Sequence, residues 1–237
     1  MAISELDLPI GVIAHSSADP QRQAELMADS IADALAYAVQ THGVASLVVS
    51  GGRSPIIFFE QLSTRDLNWS RVQISLADER WVPATDPASN EGLVRRHLLQ
   101  NAASEAQLIG LYQPGGSLAQ AAVLADQTLE QLQRPIDVLV LGMGNDGHTA
   151  SLFPGNPALA HALRSDCPER CLPMQAPVEP QARLTMTYPL LACARMQCLA
   201  IQGADKLETL RTALAADPLQ MPIRAFLHSP LEIYWCP

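Results

Sequence analysis

Short apolar, β-branched runs alternate along the chain with longer stretches in which apolar residues recur every three or four positions. Ile10 to Ala14, Val44 to Val49, Val72 to Leu76, Ile136 to Leu141, Gln197 to Ile201 and Leu231 to Trp235 read as strands. Ala24, Met27, Ile31, Ala34, Leu35 and Ala38 fall on one face of a helix from Pro20 to Gln40, with Asp19 as its cap and Pro20 in its first turn. Further helices are predicted from Pro55, capped by Ser54, and over Asn90 to Leu99, Leu118 to Leu132 and Ala204 to Ala215. From Pro154 to about Pro180 neither period holds, and the segment reads as loop with at most one strand. The alternation predicts an α/β fold: a doubly wound, mostly parallel sheet with helices on both faces, in one domain over 1–237.

The 237 residues are 48% hydrophobic and 16% charged, a composition that supports a packed core and excludes disorder as a class. A net charge of −9 disfavours nucleic acid and anionic membrane surfaces as partners, so an anionic ligand must meet a local positive cluster. No apolar run approaches the roughly 20 residues of a membrane span, and MAISELDLPI has neither the basic start nor the apolar core of a secretory signal. A cytoplasmic protein is expected, and a monomer, for want of an evident interface element. The five cysteines are scattered and read as reduced thiols. Cys167 and Cys171 come closest to a zinc motif, but their spacing matches no zinc pattern, and no metal is expected.

Three loops follow predicted strands, where ligands of open parallel sheets bind. In SGGRSP, Gly51 and Gly52 permit close backbone approach, and the helix start after Arg53 and Ser54 offers unpaired N–H groups to an anion. The plain alternative is a tight strand-to-helix turn. In Asp78, Glu79 and Arg80, a guanidinium suited to two-point phosphate recognition stands beside acids that can hold it; the same triplet also suits a surface ion pair. The third loop, GMGNDGHT from Gly142, satisfies the dinucleotide pattern GxGxxG. Pro154 nevertheless comes too soon for the long helix that pattern needs, and no acid closes a following strand. The better account makes His148 a general base oriented by Asp146 two residues away, with Gly144 and its neighbours forming a tight turn whose N–H groups offer oxyanion donors. The absence of GxSxG and HExxH argues against a serine acyl-enzyme and a zinc hydrolase. The other five histidines read as structural or surface residues.

Taken together, SGGRSP, LADERWVP followed by Ser89 and Asn90, LGMGNDGHTASLFPG, RLTMTYP from Arg183 and GADK ending at Lys206 resemble the glucosamine-6-phosphate isomerase/6-phosphogluconolactonase family. These segments span positions 50 to 206 in the family's order, and TASLFPG favours its lactonase branch. The resemblance implies a doubly wound α/β sheet and metal-independent hydrolysis of 6-phospho-D-glucono-1,5-lactone to 6-phosphogluconate, the second step of the oxidative pentose phosphate pathway, with no cofactor. It also implies that Gly51, Gly52, Arg53, Ser54, Arg80, Asn90, Gly144, Arg183 and Lys206 bind the small-molecule substrate and its phosphate, with His148 as base. Many relatives have small residues and threonine where this chain has Arg53 and Ser54, which leaves the role of Arg53 open. The rival readings are an amino-sugar-phosphate deaminase or isomerase built on the same cradle and a non-catalytic sugar-phosphate sensor.

Overall fold

A computed structural model describes residues 2–237. Seven strands form a sheet of order β1-β10-β9-β6-β2-β3-β5: β1 (Val12–Ser16), β2 (Ala45–Val49), β3 (Val72–Leu76), β5 (Gln107–Ile109), β6 (Val138–Leu141), β9 (Met196–Gln202) and β10 (Leu231–Cys236). Every pairing in it is parallel. A smaller antiparallel sheet has the order β4-β8-β7, from β4 (Asp78–Arg80), β8 (Ala182–Met186) and β7 (Cys171–Gln175). The helices are α1 (Pro20–His42), α2 (Ile56–Ser63), α3 (Asn90–His97), α4 (Leu118–Thr128), α5 (Leu159–Ala162), α6 (Tyr188–Ala192) and α7 (Ala204–Leu214).

The winding reverses between β2 and β6. From β2 the chain adds β3 and β5 toward one edge; from β6 it adds β9 and β10 toward the other, where β1 closes the sheet. Such a reversal opens a crevice beyond the carboxyl ends of the two strands, because their following loops diverge to opposite faces. Both strands are buried along their whole length, as helices on both faces require. Asp137, buried just before β6, accepts from the Ser46 N–H at 2.9 Å and pins the register of β2 against β6 at the end away from the crevice.

Helix α1 shows how local sequence sets an element. Asp19 accepts from the Arg22 N–H at 2.8 Å, Pro20 opens the first turn, and Gly43 closes the helix at φ +79°. Met27, Ala28, Ile31 and Leu35 are fully buried beneath it. Among the described residues, no helix is long and apolar enough to cross a membrane.

Several boundaries differ from the sequence reading. The first strand starts at Val12, and Ile10 lies outside it, fully exposed. Ser54 does not cap α2: Pro55 occupies the cap position, and no side chain caps that helix. The chain leaves the large sheet already at Ala77, whose carbonyl accepts from the Met186 N–H at 2.8 Å, so Asp78 to Arg80 form a strand of the second sheet. Between Pro154 and Pro180 lie α5 and β7; neither β8 nor the three-residue β5 carried a period long enough to announce itself.

Candidate active site

The crevice at the winding reversal is a cleft of about 250 Å³. That is a little below the roughly 300–1,000 Å³ of small-molecule sites and suits a small ligand. The loop after β2 contributes Ser50, Gly51, Gly52 and Ser54; β4 and the start of α3 bring Asp78, Arg80 and Asn90; the loop after β6 brings Gly144 and His148; β8 brings Arg183 and α7 Lys206. Of the eleven site residues expected from the sequence, nine line this cleft. Arg53 is exposed and points elsewhere, and Asp146 stands behind His148.

The loop after β6 is a set of tight turns that aim one imidazole. His148 Nδ1 lies 2.6 Å from Asp146 Oδ1, and the same oxygen accepts from the His148 N–H at 3.1 Å. The ring packs on Phe153 with centroids 4.8 Å apart. The hydrogen bond from His148 holds the Asp146 carboxyl below the usual carboxylate range. An ionised Asp146 keeps the proton on Nδ1, which leaves the Nε2 lone pair of neutral His148 free to accept one. Gly144 makes the geometry feasible: a Cβ there would sit 2.1 Å from His148 Nδ1.

Three of the expected oxyanion donors need correction. The Gly144 N–H donates to His148 O, the Gly147 N–H to Gly144 O, and the His148 N–H to Asp146. These three amides are consumed by the turn itself. No helix opens at Gly147 either; the chain turns through Thr149 to Leu152, which leaves the dinucleotide pattern without its helix.

The acids beside Arg80 work differently from expectation. The Arg80 guanidinium donates to the Ala88 carbonyl, not to a carboxylate. Glu79, fully buried, accepts instead from the backbone N–H groups of Arg80, Asn90 and Glu91 and from Ser89 Oγ, so it fastens β4 to the start of α3. Burial pushes its carboxyl up to about 7 against the pull of those donors. Asp78 accepts from Ser151 Oγ at 2.6 Å, its carbonyl accepts from Asn90 Nδ2 at 2.9 Å, and its Oδ2 lies 4.0 Å from Arg183. Asp78 and Ser151 therefore join three segments of the site. Sequence reasoning offered Asp78 only as an acid that could hold Arg80 and gave Ser151 no role.

Arg183 Nε donates to the Pro180 carbonyl at 2.7 Å, and its guanidinium sits over the Phe153 ring. Burial and then the like charge of Arg80 pull its pKa down. Lys206 Nζ donates to Met143 O at 2.8 Å, and burial lowers its pKa too. Six buried side-chain polar atoms have no partner among the described residues, and three of them, Ser50 Oγ, Arg80 Nε and Asn90 Oδ1, belong to residues lining the cleft. Buried polar atoms are normally paired, so a polar ligand or ordered water in the cleft can complete these three.

Residues 18–235 match the model of the family described as glucosamine-6-phosphate isomerases/6-phosphogluconolactonase. The chain belongs to this family. It is similar to a 6-phosphogluconolactonase of Pseudomonas aeruginosa, 56% identical over 238 residues and covering all of both chains. One from Pseudomonas putida is 53% identical, covering all of this chain and 98% of that one. The crystal structure of a 6-phosphogluconolactonase from Shewanella baltica superposes with a TM-score of 0.93 at 40% identity, covering 97% of this chain and all of that one.

Proposed function

We propose that the chain hydrolyses 6-phospho-D-glucono-1,5-lactone to 6-phosphogluconate, without a metal or cofactor, as a cytoplasmic monomer. The observation that carries this reading is the juxtaposition, in one small cleft, of an Asp146-oriented imidazole with the cationic side chains of Arg80, Arg183 and Lys206. The names of the 56% and 53% identical relatives support the same substrate.

The cations bind the phosphate and the sugar hydroxyls, offsetting an acidic surface where a dianion must sit. Binding energy gathered at the phosphate is remote from C1 and acts by holding that carbon near His148. His148 Nε2 takes a proton from water as the water attacks C1. The resulting imidazolium is stabilised by Asp146 and returns the proton to the ring oxygen as the C1–O bond breaks. Negative charge developing on the carbonyl oxygen is met by the cationic lining, since the amides of Gly144, Gly147 and His148 are occupied within the turn.

The deciding measurement is hydrolysis of freshly prepared 6-phosphogluconolactone by purified protein, coupled to a 6-phosphogluconate dehydrogenase. Acceleration well above the spontaneous rate, with no ammonia released from glucosamine 6-phosphate, is the expected result. A rate equal to background, or ammonia release, overturns the reading.

A further inference from the structure

Away from the cleft, three side chains of unlike chemistry meet between the end of α5 and the start of β7. His161 Nε2 lies 2.9 Å from Glu169 Oε2, and Cys167 Sγ lies 3.2 Å from the same oxygen and 3.7 Å from His161 Nε2. None of the three lines the substrate cleft. Cys171, the other candidate ligand of the sequence reading, takes no part; its thiol is buried in β7.

The geometry is that of one face of a tetrahedron. Zinc bonds of about 2.0–2.2 Å to nitrogen and oxygen and about 2.3 Å to sulfur place neighbouring donors roughly 3.3–3.6 Å apart. The three observed edges lie within about 0.4 Å of that range. A circle through the three atoms has a radius of about 1.9 Å, so an ion roughly 1 Å above their plane reaches all of them at bonding distance.

We infer that His161, Cys167 and Glu169 form a mononuclear site for zinc or a similar borderline-soft divalent ion, with water completing the coordination. A thiolate and a carboxylate neutralise the ion's charge, and imidazole with sulfur selects against magnesium and calcium. Binding forms metal–sulfur, metal–nitrogen and metal–oxygen bonds and releases the thiol proton to solvent; nothing is oxidised or reduced. The scaffold is already set. The Cys167 N–H donates to Arg164 O, Thr187 Oγ1 donates to Glu169 O at 2.7 Å, and Arg164 is engaged by Asp166. This loop leads into β7, which pairs with the strand carrying Arg183, so the ion clips the small sheet without entering the chemistry.

The test is a cobalt titration of the full chain after chelator treatment. One equivalent of Co²⁺ should produce the absorption of a tetrahedral site together with a thiolate-to-cobalt charge-transfer band. Cys167→Ser should abolish that band, and His161→Ala should weaken cobalt affinity at least tenfold. Cys193→Ser, which removes the exposed thiol, should change neither. Lactone hydrolysis at saturating substrate should be unaltered in His161→Ala. The inference is overturned if no charge-transfer band develops, or if it survives Cys167→Ser. Should Cys167→Ser fail to fold, the partly exposed His161→Ala decides alone, and unchanged affinity in it overturns the inference equally.

Discussion

Arg80 and Arg183 are direct cross-strand partners, paired in the antiparallel register of β4 and β8, and both line the cleft. Like charges in that relation repel and weaken the pairing. Their other contacts compensate only in part: Arg80 donates to a carbonyl, and the nearest carboxylate oxygen of Asp78 is 4.0 Å from Arg183. A dianionic phosphate bound between them, as proposed, would turn the repulsion into attraction.

Each of Arg80→Ala and Arg183→Ala should therefore raise KM for the phosphorylated lactone by about tenfold to a hundredfold, the range expected for one charged hydrogen-bonding group. Discrimination against unphosphorylated gluconolactone should shrink, and inorganic phosphate should raise the Tm of the wild type more than that of either variant. Because the two side chains share one ligand, the double variant should lose less than the product of the single losses. Unchanged discrimination in both variants would remove the pair from the phosphate site.

His148→Ala should lower kcat by about 10²–10⁴, the usual share of a general base, while phosphate protection against heating persists. Asp146→Asn acts one step removed. The amide no longer fixes the proton on Nδ1 or stabilises the imidazolium, so kcat should fall by a smaller factor, on the order of tenfold to a hundredfold, with KM nearly constant. The accompanying change in the pH–rate profile distinguishes lost orientation from general damage to the loop.

The features that could be read from the chain are those fixed by near neighbours or by burial on two faces. β6 was legible because a doubly covered strand is apolar throughout, β2 and β3 because their β-branched and apolar residues outnumber Ser46, Gln73 and Ser75, and the Asp146–His148 pair because two residues across a glycine can meet in a tight turn. The small sheet was not. Its strands are short, β7 contains Pro173, and they exist only through pairings with distant segments. The bond from Ser151 to Asp78 joins residues 73 apart, a distance at which periodicity carries no information. Arg53, whose role the sequence left open, sits beside two glycines of the cleft but is exposed and does not line it. The His161, Cys167 and Glu169 cluster has a spacing outside the zinc patterns and emerges only when the turn at Arg164 folds it together.

Gly144→Ala tests whether the turn exists to seat the imidazole. The new methyl would lie 2.1 Å from Nδ1 and 2.2 Å from Cε1 of His148, closer than any real contact, so the ring must move. Activity should fall to within about tenfold of that of His148→Ala, and the low-lying Asp146 titration should move back toward the ordinary carboxylate range because its partner has left. Gly142→Ala, where a Cβ meets nothing within 4 Å, should keep His148 in place and retain far more activity. Equal activity in the two variants would show that the Gly144 contact does not govern the ring.

Glu79 makes stability depend on pH in an unusual direction. Its carboxyl lies at about 7 in the folded chain against 4.5 when free. Between those values the native state binds more protons than the unfolded state, so this residue's contribution is fully present below about pH 4.5 and is lost as pH rises through 7. The shift corresponds to about 3 kcal/mol across the window. In Glu79→Gln that slope should vanish. The variant should also be less stable overall by about 1–3 kcal/mol, because an amide nitrogen replaces one acceptor facing the donors from Arg80, Ser89, Asn90 and Glu91. Urea unfolding of both proteins from pH 4.5 to 8, compared as differences so that the histidines cancel, isolates the effect. A wild-type advantage that grows with pH would mean that the four donors outweigh burial and that Glu79 is charged throughout.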